Sequence, residues 1–427
     1  MDAKLRKEMI STLAEEMPSY VASGKEFVPG VTQVQYSGPY WDRREIEMGI
    51  EAFLSGKWLT AGEYVARFQN KFSKHFGVRF SHMVNSGSSA NLVMISALKK
   101  HLRWKDGDEI IVSPVGFPTT IAPLVQNNLK PVFVDIELDT LNFDLNLVHK
   151  AITPRTKGIF VSPVLGNPPD MDELKSMGVS LVGDNCDSLG SKWCGEYLTK
   201  NYGAFSTSFY PAHHATTGEG GMVSSNDAEY IKTVRSMSWW GRDCYCVGAA
   251  NLLPCGTCGK RFDNWIEGSD EIVDHKYLFT NIGYNLKPLD IQGAIGIAQM
   301  EKIEEIEAKR RVNFMSISNA ITCFVDKAHV ASTHSKADPC WFGVPIICDT
   351  VALKTSFVAH LEKHKIQTRP YFAGNILRHP GYRHLGDAAQ FPFANQAMDR
   401  VFFIGCAPHY TEEILNYIAE VVKSWQD

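Results

Sequence analysis

Residues 207–221 read Thr-Ser-Phe-Tyr-Pro-Ala-His-His-Ala-Thr-Thr-Gly-Glu-Gly-Gly, a polar, glycine-rich loop after an apolar run, with His213 and His214 side by side. Adjacent imidazoles there can bind a metal as a pair or stand in a solvated loop; the residues alone favour neither. Upstream, Asn85-Ser86-Gly87-Ser88-Ser89-Ala90-Asn91 follows an apolar strand and opens a helix. Small residues at such a junction let N–H groups and hydroxyls surround a phosphate, although Ser/Gly turns also cap ordinary helices. Asp184 closes the apolar run Leu181-Val182-Gly183, and α/β folds carry functional groups beyond the carboxyl ends of strands. Its carboxylate can meet a protonated ring nitrogen or cap a helix before Cys186-Asp187. Of ten cysteines, Cys194, Cys323, Cys340, Cys348 and Cys406 stand singly among apolar residues and read as core or inert. Cys186, Cys244, Cys246, Cys255 and Cys258 need another explanation.

These residues are spaced by a regular alternation. From about 63 to 300, helical periodicity alternates with β-rich runs at 110–115, 131–136, 158–164, 180–185 and 205–210, which predicts an α/β domain with a mainly parallel sheet. Helices are expected at 64–76 and 89–101, and one long amphipathic helix over 290–325. A smaller α+β region follows, with strands near 341–348 and 400–405 and helices near 352–364 and 411–424. The expected division is an N-terminal segment at 1–62, a large domain at 63–300 and a small C-terminal domain at 301–427. The stretch 241–265, rich in Cys and Gly, breaks the rhythm as an insertion.

Bulk properties narrow the function classes. The 427 residues are 44% hydrophobic and 21% charged, with a net charge of −4; this suits a globular enzyme and argues against nucleic-acid or membrane-surface binding. The N-terminus is charged and amphipathic rather than a signal peptide, and no apolar run has membrane-spanning length. A cytoplasmic location is therefore expected, where a disulfide framework is disfavoured.

The order of a Ser/Gly turn, a strand-end aspartate and S-F-x-P-x-H-x-x-T-x-G-E-G-G resembles the DegT/DnrJ/EryC1/StrS sugar aminotransferases, a fold-type I pyridoxal-phosphate family. Trp58-Leu59-Thr60-Ala61-Gly62, Lys130-Pro131-Val132-Phe133-Val134-Asp135, Gly283-Tyr284-Asn285 and Gln299-Met300-Glu301-Lys302 match in the same order. The resemblance implies that Gly87, Ser88, Ser89 and Ser208 hold the cofactor phosphate, Phe117 stacks on its ring and Asp184 meets the pyridine nitrogen. Asp187 stands where the family usually has glutamine, and Asn285 would reach a phosphate across a homodimer interface. The family's Schiff-base lysine falls on His213. An imidazole cannot form that tether, so the cofactor would be held noncovalently as pyridoxamine 5′-phosphate, with His213 as general base near neutral pH.

The second cysteine group resembles the [2Fe–2S]-binding branch of this family, CDP-4-keto-6-deoxyglucose 3-dehydrase and related NDP-sugar 3-dehydrases. That branch's ligands fall on Cys186, Cys244, Cys246 and Cys258, with Cys255 a rival for the fourth place. Four thiolates suit such a cluster and also suit zinc. The implied activity is C3 deoxygenation of an NDP-4-keto-6-deoxyhexose. The cluster would deliver single electrons to a radical step and be refilled by an NAD(P)H-dependent reductase or a ferredoxin or flavodoxin system. A cluster-free dehydratase and a sugar aminotransferase are the alternatives.

Overall fold

The computed structural model describes residues 3–16, 27–55, 59–244, 259–263 and 265–426. Its first nine strands are β1 (Phe80–Val84), β2 (Glu109–Val112), β3 (Lys130–Phe133), β4 (Thr156–Val161), β5 (Leu181–Asp184), β6 (Lys192–Trp193), β7 (Glu196–Tyr197), β8 (Ala204–Ser208) and β9 (Gly221–Ser225). Seven of them form one sheet in the order β1-β9-β8-β5-β4-β2-β3. The pairs from β8 to β3 are parallel, because helices Pro118–Gln126, Leu145–Ala151 and Met171–Ser176 carry the chain back between strands. Only β9 runs against its neighbours, since the loop 209–220 returns the chain directly from β8. Both faces are covered by apolar clusters, one around Phe68, Phe72, Phe76 and Phe209, the other around Val93, Met94, Ile95 and Phe160. That double burial is why the strands read as continuous apolar runs.

The remaining strands are β10 (Ala328–Val330), β11 (Ala337–Asp338), β12 (Gly343–Cys348), β13 (Thr368–Pro370) and β14 (Val401–Gly405). Four of them form an antiparallel sheet, β10-β12-β14-β13, while β11 pairs with β6. Its core takes in Phe314, Ile317 and Ile321 of a helix at Ile303–Phe324, and also Val34 from near the N-terminus. Val34 bridges to Ile366, and Tyr36 N–H donates to Gln367 Oε1.

Three details differ from the sequence-based expectations. The helix over 290–325 is two helices, Asp290–Glu301 and Ile303–Phe324, which meet at Lys302 (φ −123°, ψ 13°). The Lys302 ammonium lies 2.6 Å from Asp42 and 3.0 Å from Glu45, and Gln299 donates to Glu45 and to the Tyr40 carbonyl, so the bend is anchored to the segment before the large sheet. Cys194 is exposed: with Gly195 it forms the β6–β7 turn, both residues having positive φ. Cys323 is also exposed, near the helix end, whereas Cys340, Cys348 and Cys406 are buried as expected. Of the insertion 241–265, residues 245–258 and 264 lie outside the described residues, and so does Trp58.

Candidate active site

Beyond the carboxyl end of the sheet lies a cavity of about 550 Å³, and the strands end sooner than expected so that their last residues can wall it. β4 stops at Val161 and β8 at Ser208; the next residues, including Ser162 and Tyr210, turn into the cavity lining. Gly221 pairs with Val84 on one side and Ser208 on the other. A Cβ at Gly221 would come within 2.2 Å of the Ser86 carbonyl, and one at Gly87 within 2.4 Å of Ser208 Cβ. The glycines therefore permit β8 to touch the start of the helix Gly87–His101. Ser86 caps that helix, accepting from Ser89 N at 3.1 Å and donating to Ser89 Oγ at 3.0 Å. Gly87, Ser88 and Ser208 face the cavity, and Ser89 sits behind them in the cap. Free N–H groups at a helix start, together with hydroxyls, form an anion site.

Asp184 ends β5 and is 95% buried. Its Oδ2 accepts from Asn91 Nδ2 at 2.8 Å and Thr120 Oγ1 at 2.6 Å, while Oδ1 accepts from Cys186 N at 3.3 Å. Ser206 Oγ in turn donates to Asn91 Oδ1 at 2.5 Å. The carboxylate is thus fixed by groups from three elements and still lines the cavity. It is not a helix cap, since no helix follows it directly. Phe117 stands 52% exposed at the cavity wall, edge-on to Phe372.

His213 lines the same cavity, whereas His214 turns away. His214 is 2% exposed and its Nε2 is 2.8 Å from the Cys340 carbonyl. A carbonyl only accepts, so Nε2 carries the proton and the ring is a structural pin. Enclosure and the nearby Arg310 guanidinium push the His213 pKa down to about 3, against the pull of the Cys186 carbonyl. The ring is therefore neutral across the physiological range, rather than poised near neutral pH. Asp187 lies 3.6 Å from His213 Nδ1, and burial with Asp184 as neighbour raises its carboxyl to about 7. A neutral imidazole beyond hydrogen-bond distance makes this a polar contact, not an ion pair.

The family model for DegT/DnrJ/EryC1/StrS aminotransferases matches residues 41–423. The chain belongs to this aminotransferase family. Lipopolysaccharide biosynthesis protein RfbH of Salmonella typhimurium is 37% identical, over 98% of this chain and 97% of its own length. The dTDP-4-dehydro-2,6-dideoxy-D-glucose 3-dehydratase of Saccharopolyspora spinosa is 39% identical, over 93% of this chain and 88% of its own. Among solved structures, Escherichia coli GDP-4-keto-6-deoxy-D-mannose-3-dehydratase with bound hydrated PLP superposes with a TM-score of 0.80. The identity is 30%, and 91% of this chain and 99% of that one are covered.

In this DegT/DnrJ/EryC1/StrS chain, one polypeptide brings together Gly87, Ser88, Phe117, Asp184, Asp187, Ser208 and His213. It does not bring Asn285 to the cavity; that side chain accepts from Lys287 Nζ at 2.5 Å and its backbone bridges to Trp239. Of the cysteines, Cys186 lines the cavity and Cys244 is buried, while Cys246, Cys255 and Cys258 lie outside the described residues. Among the described residues no group of three or more His, Cys, Asp or Glu could hold a metal ion. Burial and Asp184 raise the Cys186 thiol well above its ordinary value, so without a metal it stays protonated. Sequence reasoning placed Asn91 only in the Ser/Gly turn, without its bond to Asp184, and missed Thr120, Tyr36, Phe342 and Phe372. The last three come from outside the alternating region and complete the wall.

Proposed function

We propose that this protein removes the C3 hydroxyl of an NDP-4-keto-6-deoxyhexose, using pyridoxamine 5′-phosphate held without a covalent tether. The observation that carries this reading is the cavity wall itself: among the described lining residues there is a histidine at the loop position and no lysine. The names of the two 3-dehydratase relatives support the same chemistry.

The residues fit the cofactor. The close approach of Gly87 to Ser208 leaves a cradle that a Cβ would fill, and Ser88, Ser89, Ser208 and the helix start match a phosphate. Phe117 offers a face for the ring, and Asp184, oriented by Asn91 and Thr120, offers a carboxylate to the pyridine nitrogen. When bound, the group would supply an amine for the C4 ketone, an electron sink and, in passing from its amine to its aldehyde form with loss of ammonia, the two electrons of the deoxygenation, the C3 oxygen leaving as water. His213 would take the proton from the cofactor's methylene carbon, and its neutral imidazole is the form that can accept one. Asp187 borders this base as a carboxyl mostly protonated below pH 7. Asn285 reaches the partner's cofactor phosphate in a homodimer.

Incubation with pyridoxamine phosphate and an NDP-4-keto-6-deoxyhexose in deuterated water tests this. Exchange at the cofactor methylene and formation of a 3-deoxy-4-keto sugar are expected; a loaded protein without exchange defeats the reading.

A second reading is favoured by Cys186, which faces the cavity two residues beyond Asp184. In it, Cys186, Cys244, Cys246 and Cys258 hold a [2Fe–2S] cluster that delivers single electrons from an external reductase. The relatives' names specify C3 dehydration, and the solved one is named with bound hydrated PLP, which supports the cluster-free route better. Iron and sulfide analysis after anaerobic reconstitution separates the two. So does the electron source: a reductase with NADH drives the cluster enzyme, whereas an amino acid regenerates the cofactor in the cluster-free one.

A further inference from the structure

The structure assigns a positioning role to Arg310, which fastens the His213 loop to the second sheet and fixes where the base stands. The inference rests on the reading of His213 as that base. Arg310 lies on the helix Ile303–Phe324 and is 0% exposed, with no carboxylate at ion-pair distance among the described residues. A buried guanidinium without a carboxylate is costly unless carbonyls satisfy it. Here Nη2 points at the carbonyls of Ala212 (3.3 Å) and His213 (3.4 Å), and Nη1 at those of Trp341 (3.4 Å) and Phe342 (3.1 Å). One planar fork thus joins the loop after β8 to the residues that lead into β12. The Phe342 ring lies 5.3 Å from the His213 ring and lines the same cavity. Ser37 Oγ adds a second donor to the Ala212 carbonyl at 2.6 Å. Each of these bonds holds backbone on either side of the base, and none of them reaches into the cavity. A lysine keeps the charge but not the fork, so it cannot hold both carbonyl pairs at once.

The test compares Arg310→Lys, Arg310→Met and Ser37→Ala in protein loaded with pyridoxamine phosphate. Four readouts are followed: unfolding midpoint, cofactor affinity by absorbance, methylene exchange with nucleotide sugar, and ring signals of His213 in protein carrying isotope-labelled histidine. A misplaced group costs up to about 10²-fold in rate. Folded Arg310→Met is expected to exchange about 10²-fold more slowly with cofactor affinity and KM nearly unchanged, Arg310→Lys is expected to recover part of the loss, and the His213 ring signals should shift in both. Folded Arg310 variants with wild-type exchange and wild-type ring signals overturn the assignment. If both Arg310 variants fail to fold, Ser37→Ala decides, a slower exchange with shifted ring signals supporting the role and no change refuting it. If the wild-type protein itself does not exchange, the proposed reaction fails while the ring signals still judge Arg310.

Discussion

Replacing the neutral His213 ring with asparagine removes the proposed proton acceptor without adding charge. His213→Asn is expected to keep cofactor affinity and lower methylene exchange by about 10²–10⁴-fold. Unchanged exchange in this variant assigns the proton to another group. His214, pinned to the Cys340 carbonyl, is a poor substitute. In the wild type, denaturation should release the cofactor intact after borohydride treatment; a cofactor reduced onto a lysine contradicts the noncovalent site. The convergence of these residues on one cavity was legible because it depends on residue type at fixed spacing: Asp184 at a strand end, His213 in its glycine-rich loop, Ser88 after the first strand and Ser208 at the end of another. Arg310 was not legible, because a charge on an amphipathic helix reads as a solvated face and nothing local shows that four carbonyls surround it. Asn91 and Thr120 were hidden for the same reason, since their partner Asp184 lies 93 and 64 residues away in the chain.

At the level of elements, the meeting of β8, β9 and the helix Gly87–His101 is what makes the cradle. Gly87→Ala puts a methyl 2.4 Å from Ser208 Cβ and 3.0 Å from its Cα, where neither a strand end nor a helix start can yield cheaply. The variant is expected to lose about 1–3 kcal/mol of stability and to bind pyridoxamine phosphate at least about tenfold more weakly. Calorimetry and absorbance titration check both, and wild-type affinity in a folded variant removes Gly87 from the cradle. Parallel strands and their helices were readable from apolar runs, because double-sided burial imposes that pattern. Their ends were not: Pro114, Pro163 and Pro211 follow strands whose apolar character continues past the last ladder bond. The bend at Lys302 was equally hidden, because it depends on Asp42 and Glu45 from a distant segment.

Across the whole molecule, enclosed histidines set the response to acid. Burial lowers His82 and His213 to about 3 and His409 to about 4 from an ordinary value of 6.5, and holds His214 well below that value. Unfolded, these rings take up protons that the native protein refuses, so their contribution to stability is complete above pH 6.5 and is lost as pH falls toward 3. Asp187 has the opposite sign: raised from 3.8 to about 7, it favours the native state below pH 4 and loses that contribution as pH rises through 7. Between pH 4 and 6 the four rings outweigh it, and stability should fall on acidification by about 1.4 kcal/mol per pH unit for each net proton. Denaturant titrations at pH 7, 6 and 5 measure this slope, and His82→Gln should reduce it by one proton; an unchanged slope in that variant means His82 is protonated in the fold. The cavity is also a late product of synthesis. Tyr36, in its wall, is held by Gln367, 331 residues further along, and Phe342 and Phe372 emerge from the ribosome after the large sheet is complete. A nascent chain carrying that whole sheet therefore has the cradle but lacks the Phe342 and Phe372 walls of the chamber, and the proposed cofactor site is completed only by the sheet that follows.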